Sequence, residues 1–124
     1  MFTPAIYPNG VRVPAELYTE LRWYACYTRA RHEKRVEHVL RERGIESYLP
    51  VITRVRQWKD RKRRVDFPLF PSYVFGRFTL NEVHSVLTTP GVSTIVRING
   101  YPTPIPDCEL ENIRCFAAAV TESG

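Results

Sequence analysis

One seven-residue stretch, Ser72–Phe78, limits the fold more than any other part of the chain. Aromatic and β-branched residues dominate it, and a strand sends alternate side chains to opposite faces. Tyr73, Phe75 and Arg77 then share one face, and Val74, Gly76 and Phe78 share the other. A strand with rings on both faces must be covered on both, or keep one open for a partner. One face belongs against helices. The other either packs under the rest of the chain or forms an apolar docking surface.

The neighbouring segments supply the other layers. Trp23–Tyr27 is a short uncharged aromatic run, read as a buried strand. Ala30–Arg43 places Val36, Val39 and Leu40 at helical spacing, and Gly44 ends it. Ile45–Val51 reads as a second strand. Thr53–Trp58 and Lys62–Phe67 flank Lys59-Asp60-Arg61 as a β-hairpin without a strong apolar face. Thr79 and Glu82 match a capping box ahead of a short helix carrying Val83, Val86 and Leu87. Val92–Ile98 is a further strand, Asn99-Gly100 a turn, and Tyr101–Ile105 is expected to pair back. Asp107 is placed to cap a last helix with Leu110, Ile113, Ala117 and Val120 on one face.

This order, β-α-β, hairpin, β-α-β-β-α, predicts one α+β domain. It is an α/β sandwich with a mainly antiparallel sheet flanked by helices, placed on one face, and a projecting basic β-hairpin. Residues 1–21, with Pro4, Pro8, Pro14 and an Asn9-Gly10 turn signal, read as an N-terminal extension with a short helical turn near Ala15–Leu21. Residues 22–120 read as the domain itself.

Charge is distributed unevenly. The chain of 124 residues carries a net charge of +5. Seven basic residues against Asp60 and Asp66 lie within Arg54–Asp66, and the remainder is neutral. Arginine outnumbers lysine fifteen to three, and a planar fork suits phosphate or carboxylate. Two readings are open: contact with nucleic acid or an acidic protein surface, or a solvated hairpin that only aids solubility.

Catalytic chemistry finds little support. Cys26, Cys108 and Cys115 form an odd set without metal-ligand spacing, which suits reduced cysteines of a cytoplasmic protein. Cys26 and His32 lack a third orienting group, and no glycine-rich phosphate loop is present. Neither an enzyme nor a cofactor or metal is expected. No stretch reaches the ~20 apolar residues of a membrane helix.

The residues also resemble a family. Trp23-Tyr24, Tyr27-Thr28-Arg29, His32-Glu33-Lys34 with Val36 and Leu40, Gly44-Ile45-Glu46 and Leu49-Pro50 look like the opening of a NusG N-terminal (NGN) domain. Pro68-Leu69-Phe70-Pro71-Ser72-Tyr73-Val74-Phe75 looks like its central signature. Pro90-Gly91-Val92 and Pro104-Ile105-Pro106 look like its later one. The ordered match runs from about Trp23 to Val120. Arg56-Gln57-Trp58-Lys59-Asp60-Arg61-Lys62 is further similar to specialised NusG paralogues, the UpxY-type and RfaH-like antiterminators of polysaccharide operons.

The resemblance implies a transcription elongation or antitermination domain. It would bind bacterial RNA polymerase on the β′ clamp helices, near the upstream DNA and the non-template strand, and suppress pausing or termination. It implies polymerase contacts from Tyr73, Phe75, Ile98 and Leu110, with His84 at the β gate loop. Arg29 and Arg35, with Arg31 and His32 beside them, would meet the non-template DNA. Arg61, Lys62, Arg63 and Arg64 of the hairpin are further candidates for nucleic acid. Arg31 and Arg35 are expected as i, i+4 neighbours on the first helix, and Glu33 and Glu37 as surface partners of Lys34 or Arg41. Truncating Phe75 is expected to weaken polymerase binding and spare the fold. The family's KOW barrel is not expected in this chain, so contacts with Rho or a ribosomal protein are not assigned to it. The alternative is a free-standing basic nucleic-acid-binding module that needs no polymerase.

Overall fold

A computed structural model describes residues 5–6, 10 and 12–121. Asn9 of the expected Asn9-Gly10 turn, with Pro4 and Pro8, lies outside them. Two short strands, β1 (Ala5–Ile6) and β2 (Arg12–Val13), pair antiparallel, and a 3-10 turn follows at Ala15–Tyr18. Val13 and Leu17 are buried in the main core, and Asn81 Nδ2 donates to the Tyr18 carbonyl at 2.6 Å. Residues 13–18 of the segment read as an extension are therefore built into the domain.

The central sheet holds β3 (Arg22–Thr28), β4 (Glu46–Tyr48), β7 (Tyr73–Phe78) and β8 (Val92–Ile95) in the order β4-β7-β3-β8, every neighbour antiparallel. The strands β5 (Val51–Trp58) and β6 (Arg61–Pro68) leave between β4 and β7 as a separate two-stranded ribbon. Leu49-Pro50 divides the expected Ile45–Val51 strand, because proline has no N–H to continue a ladder. The N–H of Leu69 donates to the Pro50 carbonyl at 2.8 Å and closes the ribbon at its base. The ribbon's turn is tighter than expected. Trp58 pairs with Arg61, so only Lys59 and Asp60 span it, with Lys59 at φ +55°.

The helices lie on both faces of the sheet, which corrects the expected one-sided arrangement. On one side, Tyr24, Cys26, Val74, Phe78 and Ile95 meet Val36 and Leu40 of α1 (Glu33–Glu42) and Val86 of α2 (Val83–Leu87). On the other, Trp23 and Phe75 meet Leu110 of α3 (Asp107–Val120), with Ile113 and Ile105 packed alongside. Both faces of β7 are thus covered at Val74, Phe75 and Phe78, while Tyr73 at its start stays half-exposed. Fully burying a side chain of this size contributes about 1.5–3 kcal/mol.

Helix ends follow local chemistry. The α1 helix begins at Glu33 and not Ala30, because Arg31 adopts φ +67°, outside the right-handed helical region. It ends in a Schellman motif: Gly44 N–H bonds the Arg41 carbonyl and Ile45 N–H the Leu40 carbonyl, with Gly44 at φ +79°. The expected capping box is present at Thr79 and Glu82, ahead of a 3-10 turn that runs into α2. The Asn99-Gly100 hairpin is reduced to an isolated bridge between Arg97 and Pro102. Prolines 102, 104 and 106 remove the donors a continuous return strand needs, so beyond that bridge the Thr103 N–H reaches the Val96 carbonyl at 3.2 Å and Ile105 pairs with Trp23. Asp107 is the first helical residue of α3, without a side-chain cap bond.

Candidate functional site: an aromatic face beside α3

The N-terminal ends of β7 and α1 are tied together by one carboxylate. Glu33 is buried, and its Oε2 accepts a 2.8 Å hydrogen bond from the N–H of Ser72. Ser72 sits at φ +71°, and its carbonyl accepts the N–H of Thr28 at 2.8 Å. Tyr73 N–H returns to the Phe70 carbonyl at 3.1 Å. The Phe70-Pro71-Ser72 turn is therefore held from α1, β3 and its own strand. Glu33 is an internal anchor, not the surface partner expected. Glu37 does pair with Arg41 at 3.1 Å, and the same oxygen also accepts the Leu49 N–H.

That turn sets out a row of rings. Tyr73 lies opposite Tyr27 in the β3–β7 register, with ring centroids 5.3 Å apart in an edge arrangement. Phe70 meets Phe75 edge-on at 6.2 Å, and Tyr48 stacks on Phe75 at 6.4 Å. Arg114 of α3 lies 4.9 Å from the Tyr48 ring and 5.8 Å from Trp23, a pair of cation–π contacts. Burial pushes the Tyr48 phenol pKa above its usual value, against the opposing pull of Arg114. Tyr27 and Phe70 remain 42% and 38% exposed, with Tyr73 half-buried between strand and solvent.

The four apolar residues expected to form one patch separate. Phe75 is 6% exposed and Leu110 2%, both within the cluster with Trp23 under α3. Tyr73 belongs to the Tyr27 pair. Ile98 stands 74% exposed in the turn after β8, outside that cluster. Phe75, clustered with Leu110, is the buried neighbour of Phe70, and the open rings on this face of the sheet are Tyr27, Phe70 and Tyr73. Tyr27 and Phe70 were missed as site residues, since only the nonlocal register of β3 against β7 brings Tyr27 to Tyr73.

The basic candidates also divide. Arg29, Arg31 and Arg35 are exposed, but Arg31 precedes the helix and is not the i, i+4 neighbour of Arg35 on α1. His32 is half-buried beside Gly91, so it lines the loop between α2 and β8 instead of standing free. His84 is exposed on α2. In the ribbon, all of Arg61, Lys62, Arg63 and Arg64 are exposed, and strand alternation sends Arg61 and Arg63 to one face and Lys62 and Arg64 to the other.

Among the described residues no group of three or more His, Cys, Asp or Glu is placed to hold a metal. Burial drives the Cys26 thiol pKa up to about 12, so it is protonated and a poor nucleophile at neutral pH. What the arrangement does offer is apolar rings at one end of the sheet and a basic ribbon leaving its edge. No helix among the described residues is long and apolar enough to cross a membrane.

Together these features define an α/β sandwich with helices on both faces of its sheet, an open row of rings and a basic ribbon. Residues 21–114 match the family model described as transcription termination factor NusG, and the chain belongs to the NusG family. The membership makes it a domain of a transcription factor family. A solved structure of NusG from Thermotoga maritima, reported for its domain interaction, shares the architecture at a TM-score of 0.53 and 24% identity. The match covers 86% of this chain, which spans 62% of that one.

Proposed function

We propose that this domain is an elongation or antitermination module that docks on the β′ clamp helices of bacterial RNA polymerase through its aromatic face. The observation that carries the reading is the open row of Tyr27, Phe70 and Tyr73, held by Glu33 and Ser72 on a NusG-family fold. Rings with apolar bodies and polar tips are the residues that dominate protein interfaces. The reading keeps Tyr73 as a direct contact, adds Tyr27 and Phe70, and gives Phe75 and Leu110 a supporting role.

From that docking site the ribbon would reach toward the upstream DNA, and Arg29, Arg31 and Arg35 toward the non-template strand. His84 is the contact proposed for the β gate loop. The domain performs no covalent step. It would act by bridging the polymerase cleft and holding the elongating state against pausing or termination.

The test is capture of core polymerase, and of an isolated clamp-helix fragment, by the full chain. Tyr27→Ala with Tyr73→Ala should lower affinity by at least about thirtyfold, the ~2 kcal/mol typical of truncating one anchor, and by about a thousandfold where the two add. Equal capture by wild type and variant would refute the docking face.

A further inference from the structure

The register of the basic ribbon gives it two chemically different faces. On one, Ile52 pairs with Phe67, Arg54 with Val65, Arg56 with Arg63, and Trp58 with Arg61. On the other, Thr53 pairs with Asp66, Val55 with Arg64, and Gln57 with Lys62. The first face alone combines rings with guanidinium groups. The Arg56 guanidinium lies 5.1 Å over the Phe67 ring, and Trp58 is 67% exposed near the turn. Between them runs a groove lined by Arg56, Gln57, Trp58, Arg63, Val65 and Phe67. Asp66 is turned to the opposite face, where the Thr53 hydroxyl donates to it at 2.6 Å.

We infer that this face is a binding site for single-stranded nucleic acid, with Trp58 as the stacking platform for an unpaired base. It deepens the proposed nucleic-acid role of the ribbon but does not depend on polymerase docking by the aromatic face. An indole left two-thirds in water among guanidinium groups offers a flat apolar platform, and a nucleobase has the shape to cover it. Arg56, Arg61 and Arg63 flank the ring and supply phosphate contacts and further stacking planes. A base paired within a duplex hides its faces in the stack, so the indole selects unpaired strands while the arginines alone would accept any polyanion. An acidic protein surface would satisfy the charges and leave the indole uncovered.

The test uses the full chain without polymerase. Trp23 is 5% exposed and Trp58 67%, so the red edge of the tryptophan emission reports Trp58. Titration with a short oligothymidylate should quench that edge, whereas heparin should bind without quenching it. Trp58→Ala, read by anisotropy of labelled oligonucleotide, should weaken binding about 5- to 150-fold, the span measured for one stacked base. It should leave heparin affinity unchanged. Arg56→Gln with Arg63→Gln should weaken oligothymidylate binding more than Lys62→Gln with Arg64→Gln, although both remove two charges. Circular dichroism of the variants checks that the ribbon's removal of charge leaves the fold in place. Equal loss from the two pairs, unchanged binding by Trp58→Ala, or duplex bound as tightly as single strand with the same quench would each overturn the site. Failure of polymerase capture with oligothymidylate quenching intact would overturn only the docking reading.

Discussion

Replacing Gly91 by alanine, beside the same change at Gly44, separates backbone strain from crowding. Both glycines have positive φ, +96° at Gly91 and +79° at Gly44. A side chain in that region costs about 1–2 kcal/mol at either position. The surroundings differ. At Gly44 an added Cβ meets nothing within 4 Å. At Gly91 it lies 2.9 Å from Val36 Cγ2 and 3.2 Å from His32 Cβ. Val36 is fully buried against the sheet, and the Gly91 carbonyl accepts the Arg29 N–H at 2.8 Å, so neither side yields cheaply. Overpacking of this kind adds about 1–3 kcal/mol. Alanine also narrows the unfolded ensemble, but equally at both sites, so that effect cancels in the comparison. Urea unfolding followed by circular dichroism should show Gly91→Ala less stable than Gly44→Ala by that added amount. Equal midpoints would refute the claim that the start of α1 and the Pro90-Gly91 loop are in hard contact.

Glu33→Ala removes a buried carboxylate acceptor from the part-buried Ser72 N–H and should destabilise the domain by about 1.5–3 kcal/mol, with Glu33→Gln retaining part of the loss; urea midpoints within error of wild type would exclude the anchor. Phe75→Ala should cost about 3–5 kcal/mol as a core truncation, contrary to the sequence expectation that it spares the fold, and the melting transition decides between them. Thiol titration at neutral pH should find Cys108 and Cys115 reactive in the native state and Cys26 reactive only on unfolding. Burial raises the Tyr24 phenol from 10.0 to about 12 and the Cys26 thiol from 9.0 to about 12. Both raised values favour the protonated folded state, so their stability is intact below pH 9 and lost as pH climbs through about 12; a flat urea midpoint across that alkaline range would contradict their burial.

Local patterns carried much of the architecture. The two-faced β7 strand, the apolar stripes of α1 and α3, the glycine stop at Gly44 and the Thr79–Glu82 box all follow from neighbours close in sequence. Long-range placement did not. The stripe of Leu110, Ile113, Ala117 and Val120 says that α3 buries a face, but not which side of the sheet receives it. That one unknown converts Phe75 from an exposed anchor into a buried core residue. Tyr27 reaches Tyr73 only through a pairing 46 residues apart in the chain. Turn length had a similar effect on the ribbon. A loop of Lys59-Asp60-Arg61 would set Lys62 opposite Trp58, whereas the observed two-residue turn sets Arg61 there. The resemblance located the family, yet the burial of Glu33 at the root of the aromatic row is visible only once α1 and β7 are packed together.

The ribbon departs from β4 and returns to β7, strands that are themselves neighbours, and Leu69 N–H closes the gap to Pro50. Its length is therefore free of the sheet's own geometry, and closure entropy rises only slowly with added residues. What is not free is parity. Two residues inserted in each strand extend the reach by about 7 Å and leave every existing side chain on its face. One residue inserted in each strand near the base turns Trp58 and its arginines to the opposite side. Relatives that vary this arm can lengthen or shorten it cheaply, but only in even steps if the same surface is to meet the same ligand.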